Sequence, residues 1–407
     1  MQTNLVDRYK NSPEGQEADE ILRSCVHCGF CTATCPTYQL LGDELDGPRG
    51  RIYLMKQLLE GGQVTAKTQT HLDRCLTCRA CETTCPSGVR YGRLVDIGRG
   101  IVEQRVERTM VDRVMRKALR TIVPNRTLFS SLLGVGQMVK PLLPADLKTK
   151  VPARQRARPW PHDTHSRKML VLEGCVQPAT APNTNAAAAR VLNKLGIQLV
   201  RAGNAGCCGA LSHHLSAHEE GLDYMRRNID AWWPYVEQGI EAIVMTASGC
   251  GVVVKDYGKL LEHDAAYADK AEKISSLTKD LGEVLANENT ALLGISPKNE
   301  KVAFHSPCTL QHGQSITGRV EDILTTAGYR LVGVADSHLC CGSAGTYSIL
   351  QPALSQQLLQ NKLESLQAES PDVIVTANTG CQLHLATKAG VPVQHWVELL
   401  DYPKNIS

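Results

Sequence analysis

Two copies of one cysteine pattern constrain this chain more than any other feature of its sequence. Residues 25–36 read CVHCGFCTATCP and residues 75–86 read CLTCRACETTCP, so both follow C-x2-C-x2-C-x3-C-P. Three cysteines at this spacing let a tight loop surround one face of a [4Fe–4S] cluster, and the fourth, which precedes proline, reaches the other cluster. The pattern therefore predicts two clusters. We assign the first to Cys25, Cys28, Cys31 and Cys85, and the second to Cys35, Cys75, Cys78 and Cys81.

Zinc sites and disulfide bonds are the alternatives for so many cysteines. Structural zinc sites usually take their ligands as two CxxC pairs, and three equally spaced cysteines followed by a CP pair do not fit that spacing. The start of the chain is polar, and no run of about 18 apolar residues follows anywhere. We therefore expect a cytoplasmic protein without a transmembrane helix, whose 16 cysteines stay reduced and are metal ligands or catalytic groups.

The segment between the two motifs indicates the type of cluster domain. It has 39 residues between Cys35 and Cys75, more than a minimal two-cluster ferredoxin needs. The sequence RIYLMKQLLEGG within it predicts a helix that ends at glycine. This favours an α-helical two-cluster ferredoxin domain. Four arginines near the second motif are expected either to raise the potential of its cluster or to be merely solvated: Arg74, Arg79, Arg90 and Arg93.

The remaining cysteines reveal an internal repeat in residues 169–407. Each copy has a single cysteine, a Cys-Cys-Gly (CCG) triplet and a last cysteine, and the first interval is 32 residues in both copies. The first set is Cys175, Cys207, Cys208 and Cys250, and the second is Cys308, Cys340, Cys341 and Cys381. The single and the last cysteines follow short β-rich apolar runs, and helical stretches follow the single cysteines. This alternation predicts two similar α/β modules facing each other, with the cysteines at the carboxyl ends of parallel strands.

The chemistry of the two CCG sets stays open between an additional iron–sulfur centre, a zinc site, a redox-active disulfide and inert buried thiols. Several histidines lie near these motifs. His305 and His338 flank motif cysteines and are the better candidates for contacts to a cofactor or a proton, although an ordinary core or surface histidine is the alternative for each.

We expect four regions in the chain. They are a helical ferredoxin domain at 1–98, a basic helical connector and linker at 99–168, a first CCG module at 169–290 and a second at 291–407. The connector has 16 Lys and Arg against 5 Asp and Glu. Its apolar spacing predicts a helix from about Val102 to Pro124, followed by a second apolar segment at 127–144. Such a region suits an anionic membrane surface, and the alternative is a basic helix that docks on an acidic partner subunit or is simply solvated.

Several motifs are missing. No G-x-G-x-x-G or GxxxxGK[ST] pattern indicates a nucleotide site, and no set of residues suggests an organic substrate pocket. Aromatic residues make up only 4% of the chain, which argues against nucleic acid binding by base stacking. A chain with clusters but no hydride-handling cofactor passes on single electrons and needs a partner for two-electron chemistry.

The pairing of the two-cluster domain, including GPRGRIYLMKQLLEG at 47–61, with two CCG modules resembles the iron–sulfur subunits of flavin-linked 2-hydroxyacid dehydrogenases. The resemblance is strongest to the iron–sulfur subunits of bacterial glycolate oxidase (glycolate dehydrogenase). It implies a non-catalytic electron-transfer subunit of an oxidoreductase. A partner FAD subunit would oxidise glycolate to glyoxylate, and the clusters would pass electrons toward a quinone or another acceptor. The complex is expected in the cytoplasm, either free or peripheral on the cytoplasmic face of the inner membrane.

Related families leave alternatives open. These are the iron–sulfur subunits of lactate or anaerobic glycerol-3-phosphate dehydrogenases and the thiol or heterodisulfide reductase subunits. In heterodisulfide reductase relatives the CCG motif ends in CxxC, whereas here the endings are Cys250-Gly-Val-Val and Cys381-Gln-Leu-His. The missing cysteine counts against that alternative. A zinc-holding scaffold or an iron–sulfur sensor is the alternative from another functional class.

Overall fold

The computed structural model describes residues 1–144, 148–295 and 299–401. Its N-terminal part is a set of helices that surround the two ferredoxin motifs. They are α1 (Asp7–Lys10), α2 (Pro13–Ser24), α3 (Phe30–Ala33), α4 (Pro36–Leu41), α5 (Pro48–Leu59), α6 (Ala66–Asp73), α7 (Ala80–Thr83) and α8 (Tyr91–Arg105), with a 3-10 turn at Glu44–Asp46. Helix α5 begins at a proline and is followed by Gly61 in a left-handed conformation (φ +89°), as its sequence predicts.

The expected helix from Val102 to Pro124 is wrong as one element. The chain leaves helical geometry after Arg105 and resumes as α9 (Met110–Ile122), which Thr109 caps through its side chain. Arg108 lies in the break and forms ion pairs with Asp73 and Glu103. The local pair with Glu103 and the long-range pair with Asp73 favour a turn at a place where the apolar spacing alone favoured continuous helix.

Two connector helices leave a broad apolar surface exposed. Helix α9 is followed by α10 (Arg126–Val139) and a 3-10 turn at Lys140–Leu142, and residues 152–165 run without helix or strand. Ten of the sixteen large hydrophobic side chains that are exposed in the described structure lie between Met110 and Leu142.

Among the described residues, no helix has both the length and the apolar character required to cross a bilayer.

The rest of the chain forms two four-stranded parallel sheets with the same topology. The first sheet has the order β2-β1-β3-β4 and the second β6-β5-β7-β8. The strands are β1 (Arg167–Val171), β2 (Ile197–Arg201), β3 (Ile243–Met245), β4 (Thr278–Asp280), β5 (Lys301–His305), β6 (Arg330–Leu331), β7 (Val373–Thr376) and β8 (Val393–His395). The sheets confirm the predicted repeat of two α/β modules.

Helices cover the sheets of both modules. The first module has helices at Gln177–Thr180, Pro182–Lys194, Ala210–His214, His218–Glu237, Ser248–Lys255, Tyr257–Leu260, Ala268–Leu277 and Leu281–Leu285, then a 3-10 turn at Thr290–Leu293. The second has helices at Cys308–Gln311, Arg319–Thr326, Tyr347–Leu350, Pro352–Gln367, Thr379–Ala386 and Val397–Leu400. One apolar core extends through both modules, with Val171 and Val244 from the first and Phe304 and Val375 from the second.

The two modules meet at the carboxyl ends of their strands. His395 Nε2 lies 2.8 Å from the carbonyl oxygen of Thr246, and the Gly249 N–H donates to Asn378 Oδ1 at 3.1 Å. The ferredoxin domain contacts both modules: Arg79 forms an ion pair with Asp256 of the first at 3.3 Å, and Cys78 packs with Cys308 and Cys340 of the second. The fold therefore brings the cysteine-bearing ends of both sheets close to the ferredoxin domain.

Candidate iron–sulfur and cysteine-rich sites

One cavity in the ferredoxin domain gathers thiols from both motifs. Its walls include Cys25, Cys28, Cys31 and Cys85, and Cys81 also contributes to them. Burial is the largest cause that raises the pKa of the Cys31 thiol to about 11, and the neighbouring Cys25, Cys28 and Cys85 contribute to this rise. Cys28 is exposed, so this group of thiols, called site 1 below, opens to the protein surface.

The other four ferredoxin cysteines form a second group, called site 2. Burial raises the pKa of the Cys81 thiol well above its usual value, and Cys78, Cys75 and Cys35 add to that shift. Cys35, Cys75 and Cys81 are buried. The Tyr91 hydroxyl points at Cys75 Sγ from 3.7 Å.

The loops that present these thiols share an unusual backbone. In the first loop His27 and Gly29 have φ values of +56° and +87°, and in the second Thr77 and Arg79 have φ values of +53° and +61°. Left-handed residues at alternate positions curl each loop so that its side chains and N–H groups face inward. The Thr77 N–H accordingly donates to Cys75 Sγ at 3.4 Å.

A buried arginine stands beside site 2. Arg51 is 1% exposed and donates to the carbonyl oxygen of His71 at 2.7 Å and to Thr37 Oγ1 at 3.1 Å. Burial opposes its charge, but Tyr91, Cys75, Cys35 and the paired Asp46 raise its pKa above the usual value. A fixed positive charge thus lies next to two of the thiols.

The donor chemistry of both sites fits [4Fe–4S] clusters. Such a cluster takes four cysteine thiolates, and each site offers four thiols. Cys25, Cys75 and Cys81 belong to the hydrophobic core of the domain, next to Leu22 and Leu94. Burial among apolar side chains shields these three thiols from water, which suits a redox centre.

The first CCG set is also brought together. Cys207 hydrogen-bonds with Cys175 and Cys208, and these bonds lower the pKa of the Cys207 thiol. Cys208 in turn contacts Cys250. The Gly209 N–H points at Cys207 Sγ from 3.5 Å, and Gly209 itself has a φ of +88°. The glycine of the triplet therefore turns the chain so that its N–H faces a thiol.

The thiols of the second CCG set are arranged in the same way, and a histidine lies beside them. Cys308 Sγ lies 3.9 Å from Cys340 Sγ, and Cys341 contacts both Cys340 and Cys381. The donor atoms of His305, Cys341 and Cys381 all lie within 4.8 Å of one another. The other histidine that the sequence singled out, His338, contributes its carbonyl oxygen to His312 Nε2 at 2.9 Å.

The second CCG set abuts site 2. Cys78 packs with Cys308 and Cys340 around an apolar cluster that contains Leu76 and Tyr347. After burial, Cys308 is the largest influence that raises the pKa of the Cys78 thiol. Thiols of the ferredoxin domain and of the second module are therefore neighbours.

Several residues around these sites are not apparent from the sequence. Arg51 and Tyr91 lie 16 to 24 positions from the Cys75 thiol that both approach, and Asn378 donates to Cys381 Sγ at 3.3 Å. The four arginines flagged near the second motif each pair with a carboxylate, which accounts for their charges: Arg74 with Asp46, Arg79 with Glu82 and Asp256, and Arg90 and Arg93 with Glu17. For Arg51, the polar PRGR segment at 48–51 gives no local sign of burial.

Comparison with protein families agrees with this architecture. A family model described as "4Fe-4S dicluster domain" matches residues 21–89. A second, described as "Cysteine-rich domain", matches twice, at residues 169–255 and 302–386. The chain therefore contains an iron–sulfur domain and two cysteine-rich repeats.

Curated relatives extend the similarity over nearly the whole chain. The glycolate oxidase iron-sulfur subunit of Escherichia coli (strain K12) is 57% identical over 402 residues, which cover 98% of each chain. The probable glycolate oxidase iron-sulfur subunit of Bacillus subtilis (strain 168) is 30% identical, covering 91% of this chain and 90% of the relative. Lactate utilization protein A of Bacillus subtilis (strain 168) is 23% identical and matches 58% of this chain. With its two thiol sites and two CCG modules, this chain belongs to the family of glycolate oxidase iron–sulfur subunits.

Proposed function

We propose that this chain carries electrons from an FAD subunit, which oxidises glycolate to glyoxylate, toward a quinone or another acceptor. The arrangement of thiols carries the proposal, because two four-thiol sites lie in one apolar domain and one of them opens to the surface. The names of the relatives support glycolate as the substrate of the complex. As a member of this family, the chain acts together with other subunits.

In this proposal site 1 holds one [4Fe–4S] cluster through Cys25, Cys28, Cys31 and Cys85. Site 2 holds the other through Cys35, Cys75, Cys78 and Cys81. When bound, each cluster would accept and release one electron at a time, so the two electrons that the substrate gives to the flavin would leave the reduced flavin in sequence. The protein shields the buried thiolates from water, directs the Thr77 N–H at Cys75 and holds the charge of Arg51 beside site 2.

Site 1 is the proposed entry point for electrons. Its Cys28 is exposed, and the flanking Val26 and Phe30 are 67% and 60% exposed. Apolar side chains around an exposed redox ligand suit a docking surface for the flavin subunit. Site 2 lies deeper and against the second CCG module, which supports our assignment of site 2 to the later part of the proposed path.

The test is co-purification with the partner under anaerobic conditions, followed by a screen of 2-hydroxyacids for bleaching of cluster absorbance. We expect about eight irons per chain in the ferredoxin part and bleaching by glycolate only when the flavin subunit is present. Bleaching by lactate or glycerol 3-phosphate instead would assign the chain to another dehydrogenase. A colourless, redox-silent protein would indicate a zinc scaffold and overturn the proposal.

Two variants test the path itself. Cys28→Ser should abolish turnover with the native acceptor while glycolate still reduces the partner's flavin, since only the relay is cut. Phe30→Glu should weaken binding of the flavin subunit about tenfold or more and leave both clusters intact, whereas Leu292→Glu, at a similarly exposed residue (67%), should not. Turnover that survives in C28S would contradict the relay.

The connector helices are the proposed membrane contact. Helix α9 exposes Val111 and Val114 beside the exposed Arg113 and Lys117, a combination typical of helices that lie on anionic lipid. We expect the chain to sediment with phosphatidylglycerol vesicles at low salt, to be released by high salt, and to bind phosphatidylcholine vesicles weakly. The double variant V111E/V114E should lose sedimentation and L292E should keep it. Sedimentation that ignores lipid charge would contradict the proposal and favour an acidic partner subunit.

A further inference from the structure

One imidazole nitrogen in the second module is buried without a partner. His305, at the end of strand β5, is 2% exposed. Its Nδ1 lies 2.9 Å from Thr376 Oγ1 on the neighbouring strand β7, and its Nε2 has no hydrogen-bond partner. Leaving a buried polar nitrogen unsatisfied is costly. A ligand bound to this nitrogen would remove that cost.

The unpartnered nitrogen belongs to a compact set of metal donors. The donor atoms of His305, Cys341 and Cys381 all lie within 4.8 Å of one another, and all three residues are buried. Zinc–sulfur bonds of about 2.3 Å and zinc–nitrogen bonds of about 2.0 Å place tetrahedral ligands roughly 3.5 to 3.8 Å apart. Only a small contraction is needed for the three atoms to share one ion. The hydrogen bond at Nδ1 is the kind that fixes the ring of a metal-binding histidine.

The first module shows that the CCG fold does not itself require this histidine. The repeat offset places Leu172 at the position of His305 and Met245 at the position of Thr376. Both are buried in the apolar core of the first module. The second module therefore has the polar pair His305 and Thr376 where the first module has an apolar pair, and this polar pair lies beside the second set of CCG cysteines.

We propose that the second module binds a mononuclear divalent metal ion of the zinc type through His305 Nε2, Cys341 Sγ and Cys381 Sγ. Two sulfurs and one imidazole nitrogen are a donor set that suits Zn²⁺, with a fourth position left for another ligand. Binding forms one metal–nitrogen and two metal–sulfur bonds, and the two thiols release two protons to solvent. The buried Lys362 ammonium lies close enough to interact with Cys341 and helps to balance the charge of the thiolates.

The ion in this proposal is distinct from the ferredoxin clusters and does not depend on the electron path. The test uses the full chain co-expressed with its partner, purified anaerobically with zinc added and excess zinc removed by a weak chelator. Iron, acid-labile sulfide and zinc are then measured per chain. We expect about one zinc in addition to the iron and sulfide of the two clusters.

Variants that imitate the first module provide the control for folding. His305→Leu and the double variant H305L/T376M introduce the residues found there, and they should lose the zinc but keep the cluster iron and sulfide. His338→Ala should keep both. The Thr376→Val variant should bind zinc about tenfold more weakly in competition with a chromophoric chelator, because it lacks the hydrogen bond that orients the His305 ring.

Zinc-edge X-ray absorption of the wild-type protein tests the ligands without any substitution. The expected spectrum contains one nitrogen donor and at least two sulfur donors, and H305L removes the nitrogen contribution. Unchanged zinc content in H305L, a spectrum with sulfur donors alone, or acid-labile sulfide beyond that of the two clusters would overturn the proposal. None of these outcomes bears on whether glycolate reduces the clusters, so the two proposals can fail separately.

Discussion

The Tyr347 hydroxyl of the second CCG module donates a hydrogen bond of 3.1 Å to the carbonyl oxygen of Arg74, the residue before Cys75. This contact ties the module to the start of the second ferredoxin motif. Tyr347 also packs in the apolar cluster that contains Cys340 and reaches Cys78. The position of site 2 therefore depends on residues that lie more than 200 positions further along the chain.

Tyr347→Phe should loosen this attachment and leave the ring packing intact. The lost hydrogen bond contributes about 1 kcal/mol, equivalent to roughly fivefold faster amide exchange where the contact protects the backbone. Hydrogen–deuterium exchange of the peptide that covers 75–79 measures the effect. Tyr53→Phe, at a tyrosine that is 48% exposed, is the matched control and should leave that peptide unchanged.

Arg51→Met should lower the reduction potential of the cluster proposed for site 2. The Arg51 charge interacts with Cys75 and Cys35 and favours the reduced, more negative state. Its loss should shift the potential downward by on the order of tens of millivolts, which an EPR-monitored redox titration can detect. Arg23→Met, at the exposed Arg23–Asp19 pair, should not move either potential. An upward shift in R51M would contradict this reasoning.

Asp280→Asn should flatten the pH dependence of stability of the first module. Burial raises the pKa of Asp280 from 3.8 to about 7, so the folded protein holds this proton more tightly than the unfolded chain does. The stabilisation from the protonated form is present at low pH and is lost as pH rises toward and through 7. Asparagine stays neutral and can still accept from the Gly282 N–H, which donates to Asp280 Oδ1 at 2.8 Å.

Thermal unfolding between pH 5.5 and 8.5 measures this change. The melting temperature of D280N relative to the wild type should increase with pH across this range. Asp269→Asn, at an exposed aspartate on the helix Ala268–Leu277, provides the control and should run parallel to the wild type. A constant difference between D280N and the wild type would show that Asp280 does not take up the proton.

Removing iron from the anaerobic protein should unfold the ferredoxin part first. Cys25, Cys75 and Cys81 form part of its core, so the domain loses core contacts when the thiolates lose their metal. The two modules have their own sheets and a shared core. Limited proteolysis after iron chelation should cut residues 7–105 at least about tenfold faster and leave 167–401 protected. Simultaneous digestion of both parts would show that the clusters stabilise the whole chain.

Much of the fold could be predicted because its signals are local or periodic. The apolar runs before Cys175, Cys250, Cys308 and Cys381 form parallel strands in two sheets of the same order, as expected from the repeat. The helix before Gly61 is also where its sequence predicts. The connector was predicted less well, because the apolar spacing between Val102 and Ile122 says nothing of the ion pairs that Arg108 forms with Asp73 and Glu103.

The sequence by itself determined the number of thiols, their grouping in motifs and the duplication of the CCG module, because cysteine spacing encodes how a short loop can surround a metal. The pairing of motif cysteines with particular clusters stays a prediction. The tertiary structure alone decided which distant groups meet: Arg51 beside Cys75, Cys308 beside Cys78, and His305 beside Cys341 and Cys381. Such contacts depend on how helices and sheets pack across the chain, and packing over long sequence separations leaves no mark on the local spacing of residues.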